Sequence, residues 1–532
     1  MAVNILLGVG GTGAKIVEST LFLLSAGVGK RDKVLVGLID QDNSNGNVAR
    51  TEQLLNLLIH LQEGFTIPSS LMDWSEPKGS ALFSVPFAPL MPGGAHWRPA
   101  PDTLPTLRDV LQHETMSRDE KALFDLLFRG AEAKPADAEQ TMNLAEGYRG
   151  RAHVGAAALV SAIHHDQPDF LERLRNLMKS SSTGEEVRIF IAGSLFGGTG
   201  AAGFPTIART LDRLRAPENP NRIQSDKVMI GGALMLPYFS FDEPRTDDNV
   251  ITSAQLIPQA RVAIEYYENL LGQEGVFDRL YVAGWDRMFR LNYHQAGRAE
   301  QRNPALPPEL VAASAACDFF DLKAADVRND KPLVAARRDG AAFGWADLPA
   351  RPELQLKDRL SNALRFALWW RYRVEPAINA KGRLGFSARP GWLSDLAGQT
   401  DWQGEAVGAR VNLQDYCKRL LEWAATLRLF GTALVDRFEL WNADSFVNTR
   451  PDRPTDPVEL LDGRTEIQTL SDLDALVSSA RDEDDRPVSS QVVFDRLNKP
   501  FEQNDSKNFG RLVAGVHWAA RPTPDQPNGQ GS

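Results

Sequence analysis

Two glycine-rich loops constrain what this chain can fold into more than any other feature. Gly8-Val9-Gly10-Gly11-Thr12-Gly13 and Gly197-Gly198-Thr199-Gly200-Ala201-Ala202-Gly203 each follow a β-like apolar run and open a helix-like one. Residues without side chains let the backbone approach an anion, and the helix N-terminus beyond offers free N–H groups and partial positive charge. Two such loops make a two-sided phosphate cradle. Gly10, Gly11, Thr12 and Gly13 on one side, with Gly197, Gly198, Thr199 and Gly200 on the other, are its candidate ligands, and a nucleotide polyphosphate is the natural guest.

The surrounding pattern is α/β. Val3 to Leu7 reads as a short buried strand, and Ile16, Val17, Leu21 and Leu24 then recur at helical spacing. Val34 to Ile39 gives a second strand that ends at Asp40-Gln41-Asp42-Asn43, placing carboxylates where parallel sheets bind ligands. Val187 to Ala192, Val228 to Leu236 and Leu280 to Ala283 continue the series, with helical runs between them. Such alternation implies right-handed crossovers in a mainly parallel sheet. Residues 60–146 are rich in proline and read as an irregular insertion without a core of its own. The expected organisation is a nucleotide-binding domain over 1–300, a central helix within 301–325, a second α/β domain over 326–480, and a terminal segment, 481–532, with an acidic run at 482–485 and a disordered tail.

Composition removes several function classes. With 59 Lys plus Arg against 69 Asp plus Glu, the net charge of −10 offers no general attraction to nucleic acid or an anionic membrane. No apolar stretch reaches the roughly 18 residues needed to span a bilayer, and the first residues lack the basic flank of a signal peptide. Two cysteines, Cys317 and Cys417, both in apolar helical runs, suit a reducing cytoplasm, and no Cys or His cluster has metal-ligand spacing.

Gly193-Ser194-Leu195-Phe196-Gly197-Gly198-Thr199-Gly200-Ala201-Ala202-Gly203 resembles the signature loop of the tubulin and FtsZ superfamily. The order of parts is similar too: a first glycine loop, an acidic loop after the second strand, the GGTG loop, an aromatic segment at Pro237 to Phe241 followed by Asp242 and Glu243, and a long central helix. The likeness spans about the first two thirds of the chain and is nearest to divergent bacterial tubulin-like proteins. It implies GTP or GDP, with Mg²⁺, as the bound group. It also places Asp40, Asp42 and Asn43 near the phosphates and the cation, Gly150 and Arg151 in a loop sensing the γ-phosphate, and Asn303 and Glu309 at the guanine base. Lys15 stands where the family has an asparagine, and Arg245 is only a loose match for a family arginine. In this superfamily hydrolysis is completed by a neighbouring subunit, for which Asp347 is the candidate carboxylate. The partners implied are further copies of the chain, head to tail, and a protein recruited by the C-terminal tail.

Two other readings remain open on the residues alone. Gly8, Gly10 and Gly13 satisfy G-x-G-x-x-G and Asp40 ends the next strand, as in a Rossmann NAD-binding enzyme. A nucleotide-binding switch or scaffold with little hydrolysis is the third class. A Walker P-loop fails on spacing, because the lysine after Gly8 and Gly13 falls one residue late, at Lys15.

Overall fold

The computed structural model describes residues 2–522 except 30–31, 73–79, 131–137, 166–168, 217–218, 220–221, 224–225, 242–252, 273–274, 292–302, 328–331, 337–341, 352–353, 381–388, 405, 435–437, 444–445, 449–458, 461–475, 477–487 and 500–506. Asp242, Glu243, Arg245, the acidic run at 482–485 and the tail beyond Pro522 therefore lie outside the described residues.

An eight-stranded sheet organises the molecule. Its strands are β1 (Ala2–Val9), β2 (Lys33–Ile39), β3 (Phe87–Pro89), β4 (His96–Trp97), β5 (Glu186–Ser194), β6 (Val228–Met235), β8 (Arg279–Gly284) and β10 (Leu333–Ala336), while β7 (Phe239–Phe241) and β9 (Phe289–Leu291) form a separate parallel pair. The sheet order is β10-β8-β6-β5-β1-β2-β3, with β4 also on β2, and every pairing in it is parallel. The nearly continuous apolar runs of β1, β5 and β6 follow from this, since a parallel strand covered on both faces has no solvent side.

Helices cover both faces. On one lie α1 (Gly10–Ser25), α2 (Gly46–Gly64) and a later helix, α7 (Pro307–Asp321). On the other lie α3 (Ala152–His165), α4 (Asp169–Ser180), α5 (Thr199–Arg215) and α6 (Ser253–Gly272). The expected central helix is α7, and it spans 15 residues within 301–325. Pro307 starts it, where a missing N–H costs nothing. Gly231 on β6 lets it lie close, because a Cβ there would stand 2.5 Å from the Phe319 ring. The buried Arg188 of β5 donates to the carbonyls of Phe319 and Phe320 (3.2 and 2.6 Å), satisfying the orphan acceptors at the helix end.

Two sequence expectations need correction. Residues 60–146 are no coreless insertion: they supply β3 and β4, and Leu107, Phe124, Phe128 and Met142 form a small apolar cluster with Tyr148 and Val154. The prolines break long elements without preventing burial. The C-terminal third was expected to be α/β, but its described elements are chiefly helical. They include α8 (Leu356–Trp369), α9 (Val407–Leu434), α10 (Ser490–Leu497) and α11 (Phe509–Ala519), with one pair of two-residue strands. Their apolar faces join the core of the first face, which runs from Leu6 through α1 and α7 to Ala520. Among the described residues no helix is long and apolar enough to cross a membrane.

Candidate functional site

The strand order reverses between β1 and β5. From β1 the chain builds outward through β2 and β3, then returns to place β5 on the other side of β1, with Gly8 level with Ala192. Loops leaving neighbouring strands in opposite directions part there and open a crevice at the carboxyl edge of the sheet. Both glycine loops leave at this point. They meet across a cleft lined among others by Gly10, Gly11, Thr12, Gly197, Gly198, Thr199 and Gly200.

Close approach explains the glycines. Gly10 has φ +72° and a Cβ on it would stand 2.9 Å from the Gly200 nitrogen, so the two loops touch because Gly10 carries no side chain. Gly13 does not line the cleft; it lets α1 lie against β5, where a Cβ would come 2.5 Å from the Ala192 carbonyl oxygen. Neither α1 nor α5 has a side-chain cap or an acidic residue in its first turn. Two uncapped helix N-termini therefore converge on one cleft.

Carboxylates form the adjoining wall. Asp40 accepts from the Thr199 hydroxyl (2.9 Å), the Asn45 amide nitrogen (2.7 Å) and the Asp42 N–H (3.3 Å), and Asp42 accepts from the N–H and hydroxyl of Ser44 (2.9 and 3.0 Å). Asn45 also caps α2 by accepting from the Asn47 N–H. Burial raises the pKa of both acids, and for Asp40 the neighbouring Asp42 raises it further. Asn43 points elsewhere, donating to Asp102 at 3.2 Å. Among the described residues no group of three or more His, Cys, Asp or Glu is placed to hold a metal. A Mg²⁺ ion ordinarily uses one or two carboxylates and completes its shell with phosphate and water, and Asp40 and Asp42 fit that donor set.

The third wall is the loop Glu146-Gly147-Tyr148-Arg149-Gly150. It seats directly on the second glycine loop, since a Cβ on Gly198 would meet the Tyr148 Cβ at 2.7 Å and the Gly150 nitrogen at 3.3 Å. Arg149, not Arg151, faces the cleft; its guanidinium pairs with Glu146, and its φ of +46° is unusual for a side-chain-bearing residue. Arg151 pairs with Glu139 at 3.4 Å, off the wall.

The remaining wall holds Lys15, Asn47, Phe239 and Asn303. Asn303 is held by its backbone, donating its N–H to Asn47 Oδ1 (2.9 Å) and accepting from Arg50 Nη1 (2.8 Å). Glu309 is fully buried and is not part of the lining. Its carboxylate pairs with Lys15 and accepts from the Tyr238 hydroxyl (2.6 Å) and the Leu306 N–H (2.9 Å). Burial pushes the Lys15 pKa down, opposed by the nearby Glu309 charge. Asp347 lies at a different cavity, with Trp285, Pro308, Val311 and Phe343, and caps its own turn by accepting from the Gly344 N–H (2.7 Å).

Of the residues singled out in the sequence, eleven line the cleft: the two loops without Gly13, with Asp40, Asp42, Gly150 and Asn303. Asn43, Arg151, Glu309 and Asp347 do not. Asn45, Asn47, Tyr148, Arg149 and Phe239 were missed. One signal was present, the lysine at Lys15 on the buried face of α1, where an ammonium needs a partner.

These features define an α/β protein with a mainly parallel central sheet and a glycine-lined cleft at its switch point. No protein-family model and no curated protein matches the chain.

Proposed function

We propose that the protein is a tubulin/FtsZ-like GTPase that binds GTP or GDP with Mg²⁺ in this cleft and assembles head to tail in the cytoplasm. One observation carries the nucleotide reading: two uncapped helix N-termini, each behind a glycine loop, converge on a cleft walled by two carboxylates. Backbone N–H groups and helix dipoles suit the phosphates, and Asp40 and Asp42 would hold the cation that offsets their charge. A Rossmann dinucleotide enzyme needs only the first loop, and the second would have no task.

Asp347 supports a split site. It is exposed and shares no wall with the cleft, so it serves hydrolysis only if a neighbouring subunit presents it to this one. Phosphoryl transfer depends on placing water and compensating charge more than on covalent chemistry, and a carboxylate can orient water. A contact that carries Asp347 of one copy to the cleft of the next is heterologous and propagates as a filament if its rotation does not close. The capping bond from Gly344 to Asp347 favours slow turnover, which keeps a nucleotide-binding scaffold as the second reading.

Sedimentation with GTP, GDP, ATP, NAD or no nucleotide, beside electron microscopy and phosphate release, tests the proposal. GTP-dependent pelleting with filaments and phosphate release is the expected result. Filaments without release would select the scaffold, and a soluble protein that retains NAD would overturn both.

A further inference from the structure

The geometry points to Lys15 as the residue that reads the nucleobase, through its O6 and N7 edge, so that the site takes any 6-oxopurine triphosphate and ignores the 2-amino group. This inference rests on the nucleotide reading above and specifies its base end.

Phosphates belong at the glycine loops, which leaves the wall of Lys15, Phe239, Asn47 and Asn303 for the base. Three observations fix what that wall offers. First, Glu309 is turned away from the cleft: one carboxylate oxygen takes Lys15 and the Tyr238 hydroxyl, the other takes the Leu306 N–H, and the side chain is fully buried and absent from the lining. A carboxylate that read guanine N1 and N2 together would have to face the cleft with both oxygens, and this one does not reach it. Second, an ammonium carries three donors, and the Glu309 contact occupies one direction, so Lys15 can still donate into the cleft that it lines. Its Nζ lies 5.9 Å from the Phe239 ring centroid, beside a flat apolar face on which a base can rest. Third, Asn303 Oδ1 is a buried acceptor without a hydrogen-bond partner among the described residues, and its backbone is held from two sides.

A donor cation and an unfilled acceptor along one wall suit an edge that accepts at O6 and N7 and donates at N1. Guanine and hypoxanthine share that edge. Adenine turns an amino donor toward the ammonium in place of O6. The guanine 2-amino group has no assigned partner, since the carboxylate that would take it is committed elsewhere.

Equilibrium binding of GTP, ITP and ATP to the full-length protein, with Mg²⁺, decides the matter. ITP is expected to bind within about threefold of GTP, and ATP about tenfold or more weaker, the scale of one hydrogen bond to a charged group. Lys15→Met leaves Glu309 buried without its partner, so the double variant Lys15→Met/Glu309→Gln, checked for folding by circular dichroism, carries the second arm. It should bring GTP down to the level of ATP. ITP binding more than tenfold weaker than GTP, or equal losses for GTP and ATP in the double variant, would overturn the assignment; the second result would make Lys15 a phosphate or ribose contact. Failure to bind any triphosphate would instead overturn the nucleotide reading on which it rests.

Discussion

At the scale of single residues, the cleft is made by what is absent as much as by what is present. Gly198 is the sharpest case, because its missing Cβ is the space in which Tyr148 sits. Gly198→Val should push the 147–150 loop outward and weaken triphosphate binding, by roughly 5- to 150-fold if overpacking costs about 1–3 kcal/mol. Calorimetric titration checks this, and unchanged affinity would separate that loop from the ligand. Asp40 gives a prediction of opposite signs. Its folded pKa is raised, so the stability it contributes is present below the unfolded value and lost as pH rises through the folded one. Asp40→Asn is therefore expected to raise the melting temperature of the ligand-free protein at neutral pH, by about 1 °C per 1 kcal/mol in a chain this long, while weakening Mg²⁺-nucleotide binding. A lower melting temperature would show that its hydrogen bonds to Thr199 and Asn45 outweigh its burial. Glycines and paired aspartates were legible in the sequence because their residue types carry the chemistry. Lys15 with Glu309 and Arg149 with Glu146 were not legible in the same way, since the partner decides the role of each and Glu309 comes from an element nearly 300 positions away.

Among elements, α11 was the least expected. It lies in the segment read from sequence as a terminal stretch with an acidic run and a disordered tail, yet it is almost wholly buried and His517 is fully buried within it. The His517 Nε2 accepts from the Asn362 amide (3.0 Å), so Nδ1 carries the proton and donates to the Ser80 hydroxyl (2.8 Å). Burial, with Arg521, Arg359 and Arg365 nearby, lowers its pKa to about 3. The unfolded chain takes up this proton first, so the stability His517 contributes is complete above the unfolded value near 6.5 and declines as pH falls toward 3. Melting temperatures measured from pH 7.5 to 5 should fall, and His517→Gln should flatten that slope; an unchanged slope would assign the acid sensitivity to other groups. The strands and first helices were legible because short apolar runs ending in glycine or aspartate have few alternatives. The 60–146 segment and the C-terminal helices were not, because prolines report where elements break and say nothing about which surfaces the pieces cover.

For the whole molecule, the cleft and Asp347 are separate places, and the proposed split site brings them together only through a second copy. Asp347→Ala should leave GTP affinity unchanged and slow phosphate release in assembled protein, on the order of 10²-fold if the carboxylate handles water. Equal release by the variant would remove Asp347 from the reaction. The topology has one more consequence, which concerns time. Gly8 and Ala192 are neighbours in the sheet although more than 180 positions separate them, and the third wall arrives between them at 146–150. A chain emerging from the ribosome has its first glycine loop long before it has a binding site. The cleft closes only when the return strand docks beside β1, a non-local step of the kind that slows folding. On the proposed reading, captured nucleotide would thus certify that both halves have found each other.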